Sequence, residues 1–332
     1  MAGHSARSEA SLTGVLALAA AACVIGFAAI FVKMSELGPQ AIAFWRLAFA
    51  VPVLGVWLLI EQRRSRAAAP APSASSSASP ARRWRILALA GVFFAGDLAF
   101  WHAGIKITTA ANATLLANLT PILVALAAWA LFKERITVRF LIAAAVALAG
   151  AVLLTAANVR FAPERLTGDA LSALTAFWYA AYLLTVRAAR VQGAGTASVM
   201  FWSTLTAAPL SLGIALVAGE RLVPETLTGW APLIALGVVV HALGQGGIAF
   251  GLGRTPAALA SLIILVQPVV AAAAGWILFG EAFVTLQWFG AGLVLAGIYI
   301  AQRTGPRLPA PRPLRRRRNA PPSPGPKAPD GL

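Results

Sequence analysis

Ten continuous apolar runs divide the chain, near residues 11–32, 40–60, 86–105, 108–132, 138–157, 168–187, 196–218, 230–252, 256–279 and 284–302, and most charges lie between them. A run of about 20 apolar residues is long enough for a helix to cross roughly 30 Å of hydrocarbon. The runs lack the period-two alternation of barrel strands and are rich in Ala, Leu and Gly, so they predict helices. The expected fold is an all-α integral membrane protein with ten transmembrane helices. Composition agrees: 59% of the 332 residues are hydrophobic and 11% charged, whereas soluble domains are about 25% charged.

The net charge of +16 and pI near 11.7 raise the question of a nucleic-acid partner, and the placement of the charges answers it. With the N-terminus inside, the cytoplasmic loops between helices carry 12 Lys/Arg against 5 on the other side. That bias places both termini in the cytoplasm. The run Arg315–Arg318 sits among prolines in a tail, where it suits anionic lipid head groups and not nucleic acid. The Ala/Ser/Pro stretch after Ala67 and the Pro/Arg stretch after Thr304 lack apolar periodicity and read as disordered. The lone Cys23 cannot form an internal disulfide and reads as packing. Small residues before it resemble a signal-peptide processing site, but the apolar run continues to Val32.

An internal repeat is legible. A shift of 147 residues superposes the segment from Thr108 on the segment from Thr255 without a gap, matching Pro121/Pro268, Trp129/Trp276, Phe132/Phe279, Glu134/Glu281 and Gly150/Gly297. A shift of 157 brings Phe44-Trp45 onto Phe201-Trp202 and Pro52 onto Pro209. Ala and Leu coincide by composition, but Pro, Trp and Glu recurring at one offset do not. The expected organisation is a cytoplasmic N-terminus at 1–10, a first five-helix repeat at 11–157 with a disordered cytoplasmic linker at 62–84, a second repeat at 168–303, and a disordered basic tail at 304–332. An odd number of helices per unit makes the two copies cross in opposite senses, the inverted-repeat plan of many secondary transporters.

The Thr/Ala starts of the fourth and ninth runs, Pro121 and Pro268, Glu134 and Glu281, Gly150 and Gly297, and Arg46 after Trp45 resemble the EamA-type transporters of the drug/metabolite transporter superfamily. The resemblance covers roughly residues 11–303. It implies a permease of two inverted five-helix repeats whose helices 4 and 9 line or brace a central cavity, and members similar to this chain export amino acids and related metabolites. The Trp-Gly usual in helix 1 is absent: Cys23, Ile25 and Gly26 stand there.

Asp97 falls mid-run in helix 3, where an acid costs about 2.5–3.5 kcal/mol on translocon scales and marks a functional site by default. A carboxylate that binds and releases a proton there can couple transport to a proton gradient, although a packing hydrogen bond is the plainer alternative. Trp101 follows one turn later on the same face and His102 beside it. His241 and Gln245, four residues apart, are expected to face the same cavity. Arg46 can pair with Asp97, hold a solute carboxylate, or snorkel to the interface. Asn112, Asn118 and Gln267 can contact a solute or satisfy backbone freed by the nearby prolines, and Trp178 and Tyr182 offer an aromatic wall. Pro121, Pro268, Glu134 and Glu281 are expected to be structural or gating.

These residues point to a secondary transporter for a small-molecule solute, exporting amino acids or derivatives by alternating access. Multidrug or cation efflux and metabolite uptake are alternatives on the same fold. A lipid-modifying enzyme lacks its reactive cluster, a P-loop is absent, and a passive channel is the remaining class. No cofactor or metal is expected. The expected location is the cytoplasmic membrane of a bacterium, as a monomer or homodimer.

Overall fold

The computed structural model describes residues 11–67, 80–108, 110–134, 136–156, 163–279 and 284–304. Within them lie ten helices long and apolar enough to span a membrane: α1 Leu12–Met34, α2 Pro39–Ala67, α3 Trp84–Gly104, α4 Leu115–Phe132, α5 Val138–Thr155, α6 Pro163–Val191, α7 Thr196–Val217, α8 Trp230–Leu252, α9 Ala257–Leu278 and α10 Thr285–Thr304. Each coincides with one of the apolar runs. No strand occurs among the described residues.

The expected linker at 62–84 is helical at both ends. The second helix runs on through Glu61, Gln62, Arg63 and Arg64 to Ala67, and the third begins at Pro80. Gln and Arg are strong helix formers, and proline suits a first helical turn, so polarity alone did not end these helices. The middle of the linker, the N-terminal ten residues and the basic tail lie outside the described residues.

The tightest helix pairs are α5 with α10, α3 with α6, α2 with α7, α3 with α7 and α1 with α8. Every one joins a helix before residue 157 to a helix after residue 162, so the two halves of the chain interlock. Lipid tails are as apolar as leucine, so such pairs are stabilised by close backbone approach at small residues. A Cβ added at Gly150 would lie 2.5 Å from the Val294 nitrogen, and one at Gly297 would lie 2.5 Å from the Ala147 nitrogen. The Gly pair that recurs in the sequence therefore serves the α5–α10 contact.

Three spans are interrupted. α1 breaks at Phe27, between Leu12–Gly26 and Ala28–Met34; the fourth between Ala110–Ala117 and Thr120–Phe132; and α9 between Ala257–Ile263 and Val266–Phe279. Pro121 and Pro268 stand just past the last two breaks, where a missing N–H and a ring that clashes with the preceding turn end regular winding. In α8, Leu236–Gln245 winds as π-helix, a rare form that is frequent at functional sites. Irregular backbone at membrane depth persists only where protein or a cavity covers it, and these irregularities share one cavity.

Candidate functional site: a cavity between the two halves

A cavity of about 140 Å³ lies where the broken helices meet. The α4 break contributes Ala117, Asn118, Thr120 and Pro121, and the α9 break contributes Ile264, Leu265, Gln267 and Pro268. These are the same four positions of the repeat, 147 residues apart. The α1 break adds Ile25, Gly26 and Ala28, and the end of the π segment adds Gln245. At Gly26 the chain needs glycine for closeness: an added Cβ would lie 3.0 Å from the Gln267 carbonyl oxygen and 2.7 Å from the Val270 side chain.

Arg46 from α2 and Asp97 from α3 both line this cavity and are 3% and 9% exposed. They attract one another electrostatically without forming an ion-pair contact of the kind that Arg221 and Glu225 make at the surface. The Arg46 guanidinium carbon sits 5.8 Å from the centre of the Phe94 ring, so this arginine is held inside and does not snorkel. The cavity is also bordered by buried polar atoms that make no well-formed hydrogen bond: Arg46 Nε, Asn118 Nδ2, Tyr179 Oη, Gln245 Oε1 and Gln267 Nε2, with the Tyr179 hydroxyl drawn toward the side chains of Gln245 and Gln267. Buried polar groups are nearly always bonded, so their convergence on one cavity marks a place for a polar solute or its water.

Of the other expected residues, Trp101 lines the cavity and four do not. His241 turns toward α7, its Nε2 2.8 Å from the Thr204 hydroxyl and its ring 5.1 Å from that of Phe94. His102 is buried with its ring 5.0 Å from that of Trp101. Trp178 lies on the bare backbone of Gly96, which draws its ring toward α3 between Phe93 and Phe100. Tyr182 packs on Phe94, and its hydroxyl points to Met200 Sδ at 3.7 Å. The side chain of Asn112 and all of Glu281 lie outside the described residues. Thr175, Tyr179 and Ser261 line the cavity without having been singled out. The signal for the α6 pair is the stripe Gly168, Ser172, Thr175, Tyr179, spaced at helical intervals of four, three and four residues.

The model of the EamA-like transporter family matches residues 12–156 and again residues 166–302. The chain belongs to the EamA-like transporter family. Two similar proteins of Archaeoglobus fulgidus, each described as an uncharacterized transporter, are 31% identical over 157 residues and 28% identical over 218. The chain spans half the length of the first and 76% of the second, matching over 46% and 66% of its own length. A solved crystal structure shares the fold, with a TM-score of 0.72 at 21% identity over 87% of this chain and 96% of that one. This EamA-like protein is accordingly a multi-pass membrane transporter of small solutes and not an enzyme.

Away from the cavity, carboxylates tie the halves of the EamA-like chain together at helix ends, where first-turn N–H groups lack intrahelical partners. Glu220, beyond α7, accepts from the Gln40 and Ala41 nitrogens of α2 at 2.9 and 2.8 Å. Glu61 of α2 accepts from the Ala197 and Ser198 nitrogens of α7 at 3.3 and 3.2 Å. The capped positions are 157 residues apart, the repeat offset. Glu134, beyond α4, accepts from the Ala257 and Ala258 nitrogens of α9 at 2.8 and 3.2 Å. Burial raises the Glu134 carboxyl above its ordinary value, while those two N–H groups and the Arg187 guanidinium draw it back.

Proposed function

We propose that this EamA-like permease exports amino acids or closely related zwitterionic metabolites by alternating access, with Asp97 as the carboxylate that couples the cycle to protons. The observation that carries the reading is the pair Arg46 and Asp97, opposite charges facing one buried cavity from two helices without contact between them. A solute bearing both an ammonium and a carboxylate satisfies both, the carboxylate against the planar guanidinium fork. Asn118, Tyr179, Gln245 and Gln267 supply neutral donors and acceptors around it. The two matches to one family model, and the tightest helix pairs, each of which joins one half to the other, support two inverted repeats rocking about this cavity. The Lys/Arg bias between helices supports cytoplasmic termini in a bacterial inner membrane.

Binding tests the reading. Purified protein is heated with amino acids, with their N-acetyl and amide derivatives, and with a lipophilic cation. The zwitterions are expected to raise the melting temperature; a solute at 100 times its Kd adds about 2.7 kcal/mol. The blocked derivatives are expected to add little, and Arg46→Gln to cut the effect by about half or more. Stabilisation by the cation and by no zwitterion would replace the reading with cationic drug efflux, for which Trp101 and Tyr179 beside Asp97 are the favouring observation.

A further inference from the structure

The geometry assigns Glu134 as a latch that holds the central cavity shut at one end by clamping two half-helices to each other. The second piece of the fourth helix, Thr120–Phe132, begins at the cavity and ends at Lys133. Lys133 takes the left-handed conformation, φ 55°, which turns the chain sharply enough to deliver Glu134 across to the other half. There the carboxylate bonds Ala257 and Ala258, the first residues of the α9 piece Ala257–Ile263. That piece runs back to the cavity and ends at its own break, Ile264 and Leu265, which line it.

Two half-helices thus converge from one outer end on one cavity, each with a break at its inner end, and Glu134 joins them at the outer end. The bond is sheltered: Glu134 is 1% exposed, and Arg187, which attracts it, is anchored by donating to the Leu252 carbonyl at 2.5 Å. Hydrogen bonds to an ionised, buried group are the stronger kind, and removing the acceptor leaves two backbone donors unpaired. The breaks beside Pro121 and Pro268 are the points about which the pieces swing once released. Glu61 caps α7 from the end of α2 in the same way, but α2 and α7 are each wound without interruption. A cap there joins helices that have no such break, and it serves as the control.

The latch rests on reading the cavity as the solute path, and its test needs no solute, so the two fail separately. In a Cys23→Ser background, Ser261→Cys places a thiol on the α9 piece at the cavity wall. An impermeant maleimide is applied to the full chain in membrane vesicles, from the side on which Glu134 lies. Glu134→Ala is expected to raise the labelling rate about tenfold or more, the factor that loss of charged hydrogen bonds predicts. Glu61→Ala is expected to leave it within about twofold, as a cap remote from the breaks should. Glu134→Gln, which keeps the shape and loses the charge, carries the test should the alanine variant not fold, with an intermediate rate expected. Unchanged labelling in the Glu134 variant that folds would overturn the latch, and so would an equal rise in Glu61→Ala, which would mean general loosening.

Discussion

Arg46 and Asp97 stand out in the sequence because charge inside an apolar run is costly unless something answers it, and both line the cavity. Arg46→Gln is expected to weaken binding of carboxylate-bearing solutes by roughly tenfold to a hundredfold, the worth of a charged hydrogen bond, read by calorimetric titration. Tyr179 was less legible than Trp178 and Tyr182, because an aromatic neighbour's facing is decided by what it packs on. Gly96 accepts the Trp178 ring and Phe94 the Tyr182 ring. His241 likewise satisfies one nitrogen on Thr204, a partner on another helix that local spacing does not reveal. Glu134 makes a pH prediction. Its folded carboxyl titrates above the ordinary value of 4.5, so over that window the native state holds a proton that the unfolded chain releases. Its contribution to stability is present below the ordinary value and is lost as pH rises through the folded one. The melting temperature of the native chain is therefore expected to fall with rising pH across that window more steeply than that of Glu134→Gln.

Helices were legible wherever run length decided them, and all ten spans are where hydrophobicity places them. The breaks were not. Phe27 interrupts a stretch that stays apolar, and the π segment of α8 carries no proline, its polar residues being His241 and Gln245, so periodicity carries no mark of either; only Pro121 and Pro268 announced theirs. Polar residues such as Arg63 and Arg64 misled in the other direction, since a helix leaving the membrane can continue in water. The α5–α10 contact gives a test with an internal control. Gly297→Ala places a Cβ 2.5 Å from the Ala147 nitrogen, whereas Gly292 has nothing within 4 Å of an added Cβ. Overpacking of this kind costs about 1–3 kcal/mol. Gly297→Ala is expected to lower the melting temperature and Gly292→Ala to leave it or raise it slightly, helped by better helix propensity.

For the whole molecule, interlocked halves with a cavity between them are the arrangement on which the proposed alternating access rests: corresponding breaks at Asn118 and Leu265, one from each half, both line the cavity. Coupling then requires one group that changes charge during the cycle. Asp97 has no acidic counterpart in the second half, where Gly244 stands at the matching position, so in the proposed scheme the proton has this one residue to bind. The direct measurement is uptake of a radiolabelled amino acid into proteoliposomes with an imposed proton gradient, alongside solute exchange without one. Saturable gradient-driven uptake is expected in the native protein. Asp97→Asn is expected to lose that uptake to background while exchange between labelled and unlabelled solute persists. Saturable amino-acid uptake by Asp97→Asn at the native, gradient-dependent rate, or no saturable flux of any amino acid through the native protein, would contradict the account.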